Sequence, residues 1–200
     1  MKSNLNFLLA AVASLACGSG VQAGMISDFE SGTAEGWTSI DPSVSLSVVP
    51  GGSLGSNYAL RVDRTSGGWN NTMLLALSAA GWSDLAANTA FSLDIKAQGG
   101  SDIPGWWLQI VPVLNSSANA WVQYPNSMGG NLDGQWHTYL WEYPAQPADP
   151  GGNTHEVLLC GQGGASPNMN YFIDNIQVVP EPAALGLLAM SGLVVRRRRI

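Results

Sequence analysis

Basic side chains are scarce in this sequence. Over residues 24–179 there are three, Arg61, Arg64 and Lys96, against thirteen acidic ones, a net charge of −10. So negative a surface repels phosphate backbones, which excludes nucleic acid as a partner. Cysteine is nearly absent. Cys17 lies near the N-terminus and Cys160 stands alone between 24 and 179, so no disulfide can close within that stretch. Its stability has to come from a core, helped at most by a metal. Long hydrophobic runs are lacking too. The run from Ala183 to Val195 has 13 residues; at about 1.5 Å each it reaches roughly 20 Å, against a hydrocarbon core of about 30 Å, short for a permanent anchor.

Catalytic signatures are missing as well. Gly51–Gly52–Ser53–Leu54–Gly55 spells Gly-x-Ser-x-Gly, but between two strand patterns rather than at the strand-to-helix turn that makes a nucleophile elbow, and there is no phosphate-cradling glycine loop. "HEVLL" from His155 opens like the zinc helix motif, but Leu159 stands where the second histidine belongs. In "GGNLDGQWHTYL", Gly129 and Leu140 occupy the positions at which an EF-hand needs carboxylates. Glycoside hydrolysis needs two carboxylates roughly 5 to 9.5 Å apart, and the spacing of Asp94, Asp102, Glu142 and Glu156 pairs no two of them. Nothing marks the chain as an enzyme.

The two ends carry addresses. After Lys2, "FLLAAVASLAC" is an apolar stretch of signal-peptide length, and "VQA" places small residues for cleavage by signal peptidase after Ala23. Cys17 does not make this a lipoprotein site, because Ser14 stands where an aliphatic side chain is wanted. At the other end Pro180, Glu181 and Pro182 precede the apolar run, and Arg196, Arg197, Arg198 and Arg199 follow it. The arginines stay cytoplasmic under the positive-inside rule, so the intervening domain faces outward. This order of parts is similar to the PEP-CTERM sorting signal of Gram-negative bacteria. The resemblance implies an exosortase, a membrane cysteine transpeptidase, as a partner that reads Pro180–Glu181–Pro182 and removes the tail. It also implies an exported protein, tethered to the inner membrane with its domain in the periplasm, and at the cell surface or outside after processing. The expected organisation is a signal peptide over 1–23, one domain over 24–179 and a sorting signal over 180–200 containing a short hydrophobic helix.

Between the signals the hydrophobic period is two. Phe91, Leu93 and Ile95 alternate with Ser92, Asp94 and Lys96, and Tyr58, Leu60 and Val62 alternate with Arg61 and Asp63. Eight further runs of this kind, separated by Gly, Asn, Pro and Ser clusters, make ten candidate strands and an all-β sandwich. "SAAGWSDLAAN" is assigned to a loop, since Gly81 interrupts any helix there. Within this pattern "DFESGTAEGW" (28–37) and "YFIDNIQVV" (171–179) resemble the opening and closing strands of the jelly-roll sandwich found in carbohydrate-binding modules and galactose-binding-like domains. That resemblance implies a structural calcium ion held by Glu30 and Asp174, with Asp28 as a neighbour. The alternative is that these are solvated edge carboxylates.

Eight tryptophans are the remaining clue. An indole face stacks on a pyranose ring while amides bond its hydroxyls. Alternation puts Trp106 with Leu108 and Ile110 in the core, and Trp107 with Gln109 on the opposite face. Trp121 shares a face with Gln123, and Trp141 shares one with His137, Tyr139 and Tyr143. Trp107, Gln109, Trp121, Gln123 and Trp141 are therefore the expected glycan-binding residues; Trp37 is assigned to packing. The expected function is a non-catalytic module binding glycan or exopolysaccharide. The alternatives are a structural surface or matrix protein without a small ligand, and a polysaccharide-degrading enzyme.

Overall fold

The computed structural model describes residues 24–65, 68–98, 108–124, 133–163 and 169–179. The expectations for the signal peptide, for Pro180, Glu181, Pro182 and Arg196–Arg199, for the C-terminal helix and for Trp106 and Trp107 fall outside them. Gly24–Val179 is one compact unit. Its described strands are β1 (Gly24–Ser27), β2 (Val44–Pro50), β3 (Tyr58–Arg64), β4 (Gly68–Ala76), β5 (Ala90–Gln98), β6 (Leu108–Ser116), β7 (Val122–Gln123), β8 (Asp133–Glu142), β9 (His155–Gly163) and β10 (Met169–Val179), with a helix α1 (Ala79–Ala86) between β4 and β5.

The strands form two antiparallel sheets. One runs β2-β3-β10-β5-β8 with β1 added beside β10, and the other runs β4-β9-β6-β7. Period-two alternation drives both. Phe91, Leu93 and Ile95 point inward with Leu60, Val62 and Ile173, and meet Met73, Leu75, Ile110, Leu114, Val157 and Leu159 from the second sheet. Each such side chain contributes roughly 1.5–3 kcal/mol when fully buried. Because both sheets and this core lie within Gly24–Val179, the unit holds what it needs to fold by itself.

Strand β10 is the axis of its sheet. Met169–Ile173 pair with β3, and Ile176–Val178 pair with β1. The changeover is marked by Asn175, which adopts φ 48°. Asparagine tolerates this left-handed conformation better than most residues.

The segment expected to be a loop contains α1. Ser78 caps it, its Oγ accepting from the Gly81 N–H at 3.1 Å. Gly81 therefore sits in the first turn, where its N–H is one of the donors a helix leaves unbonded, and it does not interrupt the helix. Trp82 and Leu85 bury the inner face. The Trp82 indole stacks on His155, with centroids 5.6 Å apart, and its N–H donates to the Pro147 carbonyl. Among the described residues no helix is long and apolar enough to cross a membrane.

Candidate functional site

The face of the four-stranded sheet turned away from the main core has a covered apolar centre, with Val111, Val113, Leu158 and Cys160 each at most 1% exposed, and a more accessible polar rim. On β6, Ile110 and Leu114 enter the main core, while Val111 and Val113 turn the other way and cluster with Leu158, Cys160 and Leu74. Register builds rows across the sheet. Leu74 opposes Leu158, which opposes Val113, which opposes Gln123. The next row holds Ala76, Glu156 and Asn115, and Cys160 opposes Val111 on the other side. Gln109, half-buried, continues the same alternation along β6. Burial pushes the Cys160 thiol up to about 12, so it stays protonated and serves as a small apolar group.

Trp121 stands at the edge of this face, 40% exposed. Its backbone is left-handed, with φ 47°. The Trp121 N–H donates to Asn115 Oδ1 at 3.1 Å, and Asn115 Nδ2 donates to Glu156 Oε2 at 2.7 Å. The hairpin that carries Trp121 is tied down on its far side as well. Ser117 Oγ accepts from the Asn153 and Thr154 N–H groups, the Ala118 N–H donates to Asp149 Oδ2, and Asn119 Nδ2 donates to Gln146 Oε1. Trp121 is thus an exposed aromatic ring on a fixed mount. The sequence singled out Gln109, Trp121 and Gln123, and the fold brings them to one sheet. Asn115 and Glu156 were missed, since only the β6–β9 register places them together.

Trp141 does not belong to this face. On β8 it opposes Phe91 of β5, and Tyr139 opposes Leu93, so both share the inward face of that pair. Trp141 is 2% exposed within the main core, with Tyr139 packed against it at 5.9 Å between centroids. The expectation of a glycan surface there is corrected. Both faces of β8 carry aromatics, and the outward one holds Trp136 and Leu140, the latter 47% exposed. Trp37 is buried and donates its indole N–H to Ser27 Oγ at 2.9 Å.

Two of the three carboxylates expected at calcium, Glu30 and Asp174, hold a loop instead. Residues 51–57 join β2 to β3. Glu30 accepts from the Asn57 N–H and Nδ2, each at 2.7 Å, and from the Tyr58 N–H at 3.1 Å. These bonds, the Asn57 amide first, hold its carboxyl below the usual range. Asp174 Oδ2 accepts from the Ser53 N–H at 2.8 Å and Oδ1 from the Asn175 N–H. Asp28 Oδ1 accepts from the Glu30 N–H at 3.1 Å. Among the described residues no three acidic, histidine or cysteine side chains converge to hold a metal. Nitrogen donors already bond both oxygens of Glu30 and both of Asp174, so these two carboxylates as arranged do not fit a calcium ion.

Asp174 has a different close neighbour. Its register partner on β5 is Asp94, and both are buried. Asp94 Oδ2 accepts from Ser53 Oγ at 2.5 Å and from Asn175 Nδ2 at 2.9 Å, and Oδ1 accepts from Thr138 Oγ1. Burial first, and then the Asp94 charge, raises the Asp174 pKa against the pull of its donors. Opposed like charges cost stability, and here the pair anchors the 51–57 loop through Ser53. The pair is buried beneath a loop and carries at least one hydrogen-bond donor on every carboxylate oxygen.

No protein-family model and no curated protein matches the chain. Solved structures do match. The family 11 carbohydrate-binding module of a Clostridium thermocellum cellulosomal cellulase superimposes with a TM-score of 0.52 at 18% identity, covering 81% of this chain and 96% of the module. A xylan-binding domain of family 22 gives 0.51 at 18% identity, covering 78% and 95%. The fold is that of the carbohydrate-binding-module jelly roll. An exo-β-agarase matches with a TM-score of 0.57 at 13% identity, but this chain, 80% covered, spans only 25% of the enzyme. At these identities the likeness is one of architecture, and it matches the expected all-β sandwich.

Proposed function

We propose that residues 24–179 are a non-catalytic module that binds polysaccharide on the outer face of the β4-β9-β6-β7 sheet. One observation carries this reading: Gln109, Asn115, Gln123 and Glu156 form a polar rim around a buried apolar cluster on that face, with Trp121 fixed and 40% exposed beside it. An amide and carboxylate rim with a presented aromatic supplies the hydrogen bonds and the stacking surface a sugar site needs. Neighbours of the same fold whose titles name carbohydrate-binding or xylan-binding modules support it. In this reading the chain is exported by its N-terminal signal. It is tethered at the inner membrane and sorted by exosortase through Pro180–Glu181–Pro182 and the arginine cluster.

Residues 24–179 should bind at least one member of a polysaccharide panel saturably, and Trp121→Ala should weaken that binding about tenfold or more. Absence of binding by the folded unit would move the reading to a structural surface or matrix protein. Separately, fusing residues 180–200 to a periplasmic reporter tests sorting. The reporter should leave the membrane fraction only in cells that possess an exosortase.

A further inference from the structure

The charges of this molecule are distributed unequally over its two sheets. Strands β4, β6, β7 and β9 contain no lysine or arginine, and their one carboxylate is Glu156, set into the rim of the face described above. All three cations of residues 24–179 lie on the other sheet. Arg64, on β3, is 1% exposed and points between the sheets, its guanidinium 3.5 Å from the Gly161 carbonyl on the inner side of β9. Arg61 is engaged by Asp63 at 2.8 Å. Lys96 lies with Nζ 6.0 Å from the Trp136 ring centroid and 5.4 Å from that of Phe172. Arg61 and Lys96 both oppose Phe172 in register, which places them in one row of the β3-β10-β5 surface and away from the candidate site.

The geometry points to a site that selects uncharged polysaccharide and rejects chains bearing carboxylate, sulfate or phosphate. This inference rests on the glycan-binding reading and narrows it. A hydroxyl of a neutral sugar both donates and accepts, so it can bond Gln109, Gln123, Asn115 and the Glu156 carboxylate alike. An anionic substituent only accepts. It meets no cation on this face, faces Glu156, and approaches a domain whose net charge is −10. Like charges a few ångströms apart repel in water and more strongly near a protein surface, enough to decide between otherwise equivalent chains.

The test compares one neutral polysaccharide that the domain binds with the same polymer after selective oxidation of its primary hydroxyls to carboxylates. Affinity of residues 24–179 is measured at about 0.1 M and about 1 M salt, between which the screening length shrinks from about 10 Å to about 3 Å. Binding of the neutral chain should be insensitive to salt. The oxidised chain should bind about tenfold more weakly at low salt and recover as salt rises. Gln123→Lys, at an exposed position, should remove most of that gap by supplying the missing cation. Equal or tighter binding of the oxidised chain at low salt, or a gap that neither salt nor the new lysine closes, overturns the selectivity and leaves the glycan reading intact. Binding to no neutral or oxidised polymer overturns both.

Discussion

Asn115 holds the backbone N–H of Trp121 at 3.1 Å through one end of its amide and donates to Glu156 at 2.7 Å through the other. The carboxylate fixes which way the amide points, and the amide secures a residue whose left-handed backbone costs on the order of 1–3 kcal/mol. Asn115→Ala should therefore weaken polysaccharide binding about tenfold. Its stability should fall by less than about 2 kcal/mol, the scale of the hydrogen bonds lost. Affinity electrophoresis beside thermal unfolding reads both. Unchanged binding would separate Trp121 from the ligand.

Trp121 and Trp141 should respond oppositely to the same change. Trp141→Ala empties a large site in the core and should cost about 3–5 kcal/mol. Any protein that still folds should bind as wild type does. Trp121→Ala should spare stability and lose binding. Chemical denaturation and calorimetric titration of the two variants distinguish them, and a binding defect specific to Trp141→Ala would refute its placement in the core.

Gly52 lies where the 51–57 loop crosses the buried aspartates. A Cβ there would collide with the Tyr58 carbonyl and lie 2.7 Å from Asp174 Oδ2. Gly52→Ala should cost about 1–3 kcal/mol, as overpacking does. A variant of wild-type stability would mean that the loop does not sit on Asp174.

Asp174 also sets a pH dependence. Its folded-state pKa is raised above 3.8 by burial and by Asp94, so the folded state binds this proton more readily than the unfolded one. The ionised form is therefore a cost, fully present above the folded pKa and gone below 3.8. As pH falls through that window, wild type should gain stability relative to Asp174→Asn. A difference between the two that does not vary with pH would rule the contribution out.

With the carboxylates of Glu30 and Asp174 already bonded to N–H groups, calcium should change little. Addition of calcium or of a chelator should leave the unfolding midpoint of residues 24–179 unchanged. A calcium-dependent rise that Glu30→Gln abolishes would show that the carboxylates exchange these donors for the ion.

Strands were readable wherever one face of the sheet is wet, as in Phe91, Leu93 and Ile95 against Ser92, Asp94 and Lys96. Alternation separates two faces but does not say which is inward when both carry aromatic rings. That is why Trp141 was expected on an open face of β8 and lies in the core. Helix α1 was missed because Gly81 weighs against a helix interior, and only the Ser78 cap shows that it lies in the first turn. The Asn115–Glu156 and Asp94–Asp174 pairs join residues 41 and 80 positions apart in the chain. Strand register creates both, and no local pattern encodes it.

Because β10 is bonded to β3 and β5 on its two sides, with β1 alongside its final residues, the strand that leads to the C-terminus is also the best-secured strand of the sandwich. A pull applied at Val179 runs along β10 and loads rows of hydrogen bonds together, in shear, rather than peeling them one at a time. Were the domain held by that end while its other sheet bound a polymer, as proposed, this arrangement would bear tension.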